Sequence, residues 1–237
     1  HLLEIPDRID PNRIGEYLHT KWLAHNIVYD EKMDSTNTQA KRLGEEDAEN
    51  GTVVIAEQQT AGKGRRGKTW VSPLGNCYFT VLLRPDVHAD RASMITLISA
   101  LALAQAIEKV MDLETMIKWP NDVIASGKKL CGILTESSSD LEYINYVVVG
   151  IGVNCNQTEF PEEIREIASS ICLETGRTVD RTRLLAEFFN CFEVCYETFL
   201  ETEDLQGLVE DYNARLINRG KEVKIVEKEK ETVLKAV

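Results

Sequence analysis

The sequence predicts an α+β protein, a mixed and mostly antiparallel sheet backed by helices. Three observations predict it. Short segments rich in β-branched and aromatic residues follow one another through short turns. One long apolar helical stretch, residues 91–112, interrupts them. Helical patterns then occupy much of 161–217. With 237 residues, 43% of them apolar, the chain is long enough for one large domain and a small appendage.

The elements can be justified in order. "IDPNRIGEYLHTKW" (9–22) predicts a lead-in helix with Asp10 as N-cap and Pro11 in the first turn. "NIVYDEKM" (26–33) predicts a strand, and "DSTNTQAKRLGEE" (34–46) opens on strong N-cap residues and becomes a helix. Strands follow at 52–59 and 77–84. The stretch 91–112 is apolar on most sides, which predicts a largely buried helix. Further strands fit 115–120, 128–137 and 142–156, and helices fit 161–170, 180–200 and 204–217. The last residues, 221–237, read as two alternating β segments around a charged turn. A hairpin of that size is marginal alone, so it either packs on the main domain or begins a small β module.

Composition narrows the function classes. The net charge of −12 argues against wrapping nucleic acid by charge alone. The six cysteines form no C-x-x-C pair, and the four histidines do not cluster with them. Packed, reduced core thiols are expected rather than a zinc site or a disulfide framework. No apolar run reads as a membrane span and no signal peptide is evident, which predicts a soluble cytoplasmic protein.

One stretch resembles a phosphate loop. "GKGRRGKT" (62–69) satisfies G-x-x-x-x-G-K-[ST]. A phosphate loop must open a helix, and here Pro73 and Gly75 stand in the next two turns, followed by the β-rich "CYFTVLLR". The segment therefore reads as strand, charged glycine loop, strand. Lys63, Arg65, Arg66 and Lys68 lie within six residues among three glycines. A flexible cationic loop of this kind suits an anionic ligand that is wrapped and released.

Four further motifs sit at element ends: "DSTN" (34–37), "KWPND" (118–122), "KKLCGIL" (128–134) and "GIGVN" (150–154). Core packing accounts for their apolar residues. It does not account for Lys118, Asn121, Lys129 or Asn154, polar residues at strand ends beside Gly and Pro.

Together these motifs resemble a known family. "EQQTAGKGRRGKTWVSP", then "KWPNDV", "KKLCGIL" and "VVVGIGVN", in this order, resemble the biotin–protein ligases (biotin–[acetyl-CoA-carboxylase] ligases), over about residues 26–220. The likeness is greatest to the ligase portion of the bacterial bifunctional ligase/biotin-operon repressors. The family's loop is usually G-R-G-R-x-G; here Lys63 replaces the first arginine, which keeps the charge and loses any bidentate contact.

The resemblance implies a fold like that of class II aminoacyl-tRNA synthetases and biotin synthetases. It divides the chain into a linker helix (1–25), a biotin- and ATP-binding catalytic domain (26–218), and the start of an SH3-like module (219–237). It implies that biotin and ATP give biotinyl-5′-AMP and pyrophosphate, with Mg²⁺, and that biotin then passes to a lysine of a biotin carboxyl carrier protein. Lys118, Arg65 and Lys129 would be the catalytic cations. Ser35, Thr36, Asn37, Gln59, Gly62, Lys63, Gly64, Arg65, Lys129 and Gly132 would bind biotin. Arg65, Trp70, Lys118, Asn121 and Asn154 would bind the nucleotide, with the two asparagines on the metal side and no residue assigned as a direct metal ligand. The glycine loop and residues 155–169 would order on the ligand.

The family also implies a homodimer, and contact with DNA only through a winged helix-turn-helix preceding this chain. Two rival readings stand beside it. A lipoate–protein ligase shares the fold, but "DSTN" with "KWPND" favours biotin. A non-catalytic biotin-sensing regulator would be expected to lack Lys118, which is present.

Overall fold

The computed structural model describes residues 8–140, 143–227 and 230–235. Residues 1–7 of the expected linker, 142 of the strand expected at 142–156, and 228–229 and 236–237 of the expected β segments and charged turn lie outside the described residues.

In chain order the elements are α1 (Pro11–Tyr17), β1 (Ile27–Met33), α2 (Thr36–Glu45), β2 (Val53–Gln59), β3 (Cys77–Leu83), α3 (Met94–Met111), β4 (Met116–Lys118), β5 (Asp122–Ala125), β6 (Lys128–Asp140), β7 (Tyr143–Val153), α4 (Ile171–Thr175), α5 (Arg181–Thr202), α6 (Val209–Arg215), and the pair β8 (Glu222–Glu227) and β9 (Lys230–Lys235). The first seven strands form one sheet in the order β1-β2-β3-β7-β6-β5-β4. β1 and β2 are parallel, joined by the crossover through α2. Every other neighbouring pair in that sheet is antiparallel. This is the mixed, mostly antiparallel α+β fold expected from the sequence.

The period of two along the strands decides what each face meets. On β7, Val147, Val149, Ile151 and Val153 turn to one side, into a core with α3 and α5. Phe79 from β3 joins that core edge-on to Phe188 and Phe189 of α5. On the opposite face, Tyr146 and Val148 pack with Val54, Leu82 and Ala40 under α2. That face then continues as Gly150 and Gly152, where side chains stop and a hollow begins.

The stretch Ala89–Met111 is long and apolar enough to cross a membrane by length and composition, which corrects the expectation that no run here reaches a span. Most of it is buried between the sheet and α5, the position of a core helix.

A buried ion pair fixes the lead-in segment. Arg181 Nη1 lies 2.8 Å from Glu57 Oε2 and 2.8 Å from the Asn76 carbonyl. Glu57 Oε1 accepts from the Ile9 N–H at 2.7 Å. Further along the same segment, the Glu193 carboxylate of α5 accepts from the N–H groups of Lys21, Trp22 and Leu23. Five of the six cysteines are buried and Cys172 is partly so, and none is in a disulfide.

Three further expectations need correction. Residues 161–170 are not a helix. Ile164 and Ile167 stay exposed, so a helix there would have no apolar face to bury. The backbone instead turns twice and pairs with β6, through Lys129 N–H to the Ile167 carbonyl and Ser169 N–H to the Lys129 carbonyl. β5 was not expected as a separate strand. β4 ends at Lys118, before Trp119–Pro120, and the chain folds back on it before turning again at Ser126 and Gly127, both at positive φ. Helices α1 and α6 are shorter than 9–22 and 204–217.

Candidate active site

The hollow lies on the α2 face of the sheet, where "GIGVN" of β7 runs beside the start of β6. It has no room for further side chains. A Cβ on Gly150 would stand 1.8 Å from Asn37 Oδ1, and one on Gly152 would stand 2.6 Å from the Trp70 ring. Side chains from other segments therefore lie directly on the strand backbone. Eleven of the fourteen expected site residues line this one cavity: Ser35, Thr36 and Asn37 at the start of α2; Gln59 at the end of β2; Lys63, Gly64, Arg65 and Trp70 from the glycine loop; Asn121; and Lys129 and Gly132 from β6.

The glycine loop is a small hairpin. Lys63 and Thr69 face one another across an antiparallel bridge, around a turn at Arg65–Gly67 in which Arg66 and Gly67 have positive φ. No helix follows, as expected for a loop that is not a phosphate loop of the strand–helix type. Its cations are aimed apart. Lys63 Nζ donates to Thr38 Oγ1 at 3.0 Å, and Arg65 Nη1 donates to Asn121 Oδ1 at 2.9 Å. Asn121 is itself held, its Nδ2 donating to the Ile133 carbonyl at 2.9 Å. The Lys68 side chain is exposed.

A polar relay underlies the cavity. Gln59 Oε1 accepts the Thr36 N–H at 2.9 Å, and its Nε2 donates to Ser72 Oγ at 3.1 Å, which joins α2 to the glycine loop. Thr80 Oγ1 donates to Asn37 Oδ1 at 2.8 Å and lies 2.8 Å from Thr36 Oγ1. Asn37 Nδ2 donates to Glu136 Oε2 at 2.9 Å and to the Leu134 carbonyl at 3.2 Å. Burial pushes the Glu136 carboxyl up, but the bonds from Asn37 and Lys41 prevail and hold it below the ordinary range.

At the other wall, Lys129 Nζ stands 2.7 Å from Asp122 Oδ1 and 5.4 Å from the centre of the Trp70 ring. Trp70 Nε1 is buried with no hydrogen-bond partner among the described residues. Such a donor costs about 1–3 kcal/mol, which a ligand acceptor would relieve.

Three expected residues lie outside this lining. Gly62 sits beneath the loop, where a Cβ would stand 2.3 Å from the Trp70 carbonyl. Lys118 is exposed at the end of β4. Asn154 is buried, and its Nδ2 donates to the Ser169 carbonyl at 3.0 Å, closing the loop that follows β7. Two charged residues that brace the lining, through Lys129 and Asn37, are not among the expected ones. Asp122 belongs to "KWPND" and was within reach of that motif. Glu136 lies mid-strand, with no turn or glycine to single it out. Beside the cavity, and sharing Arg65, Asn121, Ile133 and Leu134 with it, runs a groove of about 520 Å³ past Trp119 and the start of α3.

The arrangement is a pocket with amide and hydroxyl groups at the α2 end and cations at the loop end. It suits a ligand that is polar but uncharged at one end and anionic at the other.

The comparisons agree with this geometry. The model of the biotin/lipoate A/B protein ligase family matches residues 29–154. The bifunctional ligase/repressor BirA of Bacillus subtilis is 35% identical over 202 residues, 84% of this chain and 62% of the relative. The biotin–[acetyl-CoA-carboxylase] ligase of Paracoccus denitrificans is 37% identical over 176 residues, 71% of this chain and 73% of the relative. The solved biotin protein ligase from Aquifex aeolicus, in complex with biotin and ATP, superimposes with a TM-score of 0.77 at 30% identity, covering 88% of this chain and 85% of that one. The chain thus spans 62% of the length of the Bacillus relative. By matched residues, identity and fold, it belongs to the biotin/lipoate A/B protein ligase family.

Proposed function

We propose that the chain activates biotin with ATP and passes it to a lysine of a biotin carboxyl carrier protein. The observation that carries this reading is the convergence of four separated motifs and the glycine loop on one pocket, with neutral hydrogen-bonding groups at one end and Arg65 and Lys129 at the other. A carboxylate oxygen of biotin would attack the α-phosphorus of ATP, forming the acyl–phosphate bond as the α–β bridge breaks and pyrophosphate leaves. Both reactants are anions, so fixed cations that strengthen their contact in the transition state lower the barrier. Arg65, Lys129 and Lys118, the last exposed at the end of β4, would be the groups for that work. In the second step the carrier's lysine amine would attack the acyl carbon, and AMP would leave.

The donors at the site fit Mg²⁺ brought by the nucleotide. Asn121 Oδ1 and the Asp122 carboxylate, which here face Arg65 and Lys129, would be the oxygen donors offered to it, and phosphate oxygens would hold most of the ion. When bound, the ion offsets charge on the phosphates.

Asn154, which closes the loop of residues 155–170, would act on the nucleotide side through that loop. Residues 26–218 are read as the catalytic domain and 219–237 as the opening of an SH3-like module. Relatives named bifunctional ligase/repressor support ligase activity together with a repressor role of the whole protein, which would act on DNA through a preceding domain and as a cytoplasmic homodimer.

The test is exchange of labelled pyrophosphate into ATP, with and without biotin. Biotin-dependent exchange is expected. Equal exchange with lipoate would move the chain to the lipoate branch, and biotin binding without exchange would make it a sensor.

A further inference from the structure

We propose that Glu136, held by Lys41, is a positioning residue that turns the Asn37 amide so that its oxygen serves the cavity and accepts an N–H of the biotin ureido ring. The site would thereby disfavour acyl substrates without such a donor. This rests on the biotin reading above and adds to it a residue that does not itself line the pocket.

The argument begins with the amide. An asparagine amide has two donors and an oxygen with two lone pairs, and its orientation follows from its neighbours. Asn37 is almost fully buried. On one side stand two groups that can only accept, the Leu134 carbonyl at 3.2 Å and the Glu136 carboxylate at 2.9 Å. They demand the NH₂ group. On the other side the Thr80 hydroxyl donates to Oδ1 at 2.8 Å. Oδ1 lies against Gly150, which lines the cavity. Both donors are therefore consumed inside the protein, and one lone pair of the oxygen is left for a ligand. A flipped amide would set its oxygen against both a carboxylate and a carbonyl, neither of which can donate.

Glu136 is in turn fixed as an anion. Lys41 of α2 pairs with its other oxygen, with Lys63 contributing at longer range. A neutral apolar side chain in its place would leave the Leu134 carbonyl alone to orient the amide. The ring of biotin carries two ureido N–H groups, which suit an acceptor. The dithiolane ring of lipoate carries none, and it would leave the second lone pair of the Asn37 oxygen without a partner.

The experiment measures binding by calorimetry for two ligands, biotin and a biotin methylated on both ureido nitrogens. In Glu136→Leu, biotin affinity is expected to fall about tenfold or more, the scale of one buried hydrogen bond. The kcat for pyrophosphate exchange at saturating biotin is expected to stay within about threefold, because the reacting end is untouched. The methylated ligand, already weak, is expected to lose little further. Glu136→Gln keeps an acceptor for Asn37 and should restore most of the biotin affinity. The pair Asn37→Asp and Asn37→Asp/Glu136→Gln guards against a folding defect. Two facing carboxylates should bind biotin poorly, and the double variant, in which the glutamine amide can donate to the aspartate, should recover. Equal losses for both ligands, or no recovery in the double variant, would show Glu136 to be merely structural and overturn the proposal. If the parent chain bound no biotin at all, the functional reading would fall first, and this proposal with it.

Discussion

Arg65 Nη1 donates to Asn121 Oδ1 across 2.9 Å and so ties the tip of the glycine loop to the turn between β4 and β5. The bond joins two lining residues of the pocket and two of the motifs singled out by sequence. Asn121 does not give way easily, since its own amide and backbone are bonded to Ile133. Arg65→Gly removes the bond and the charge together. Release of labelled biotinyl-adenylate is expected to speed up about tenfold or more, with synthesis partly retained. Lys68, two residues past the loop's second arginine, has an exposed side chain, and Lys68→Ala is expected to change adenylate formation by less than about threefold. A severe Lys68→Ala defect beside a normal Arg65→Gly would return the loop to the phosphate-loop reading.

Gly152 offers a test of the hollow itself. A methyl group there would stand 2.6 Å from the Trp70 indole, on a strand bonded on both sides and unable to shift. The indole must move instead, at about 1–3 kcal/mol. Gly152→Ala is expected to remain cooperatively folded by thermal melting while its KM for biotin rises by about tenfold or more. An unchanged KM would mean that Trp70 does not shape the ligand site.

Much of this was legible in the sequence because the signals were local. β2, β3 and β7 are runs of β-formers between breakers, and polar residues at strand ends stood out because packing could not explain them. What stayed hidden depended on tertiary pairing. Residues 161–170 have helical composition, yet their backbone bonds to β6. Asp122 and Lys129 meet only because β5 folds back along β6. Glu136 reads as an ordinary solvent-face residue until α2 is laid over it, and then it holds Asn37 and Lys41.

Lys118 separates binding from chemistry. It is exposed and stands outside the cavity lining, so its removal should leave the ground-state contacts of biotin largely intact. A cation that meets the reacting phosphate mainly in the transition state is worth about 3 kcal/mol, on the order of a hundredfold in rate. Lys118→Ala is expected to lower kcat by about that factor, with the biotin Kd by calorimetry within about threefold. A Kd that worsens as steeply as the rate would make Lys118 a binding residue only.

The Glu57–Arg181 pair makes the sharpest statement about stability. The Arg181 side chain is 0% exposed and that of Glu57 is 4% exposed, and their contact at 2.8 Å joins β2 to α5. The same carboxylate receives the Ile9 N–H, so the pair also anchors the lead-in segment. Arg181→Met would strand a buried carboxylate oxygen and deprive the Asn76 carbonyl of a donor. The expected loss is about 3–5 kcal/mol of unfolding free energy, a large share of the roughly 5–15 kcal/mol of a typical domain. Much of that loss is the stranded charge rather than the value of the pair. Glu57→Gln/Arg181→Met, which leaves no charge behind, is therefore expected to be more stable than Arg181→Met alone. Urea unfolding of the three chains at neutral pH measures this. A double variant no more stable than the single one would show that the contacts of Arg181, rather than the unbalanced charge, account for the loss.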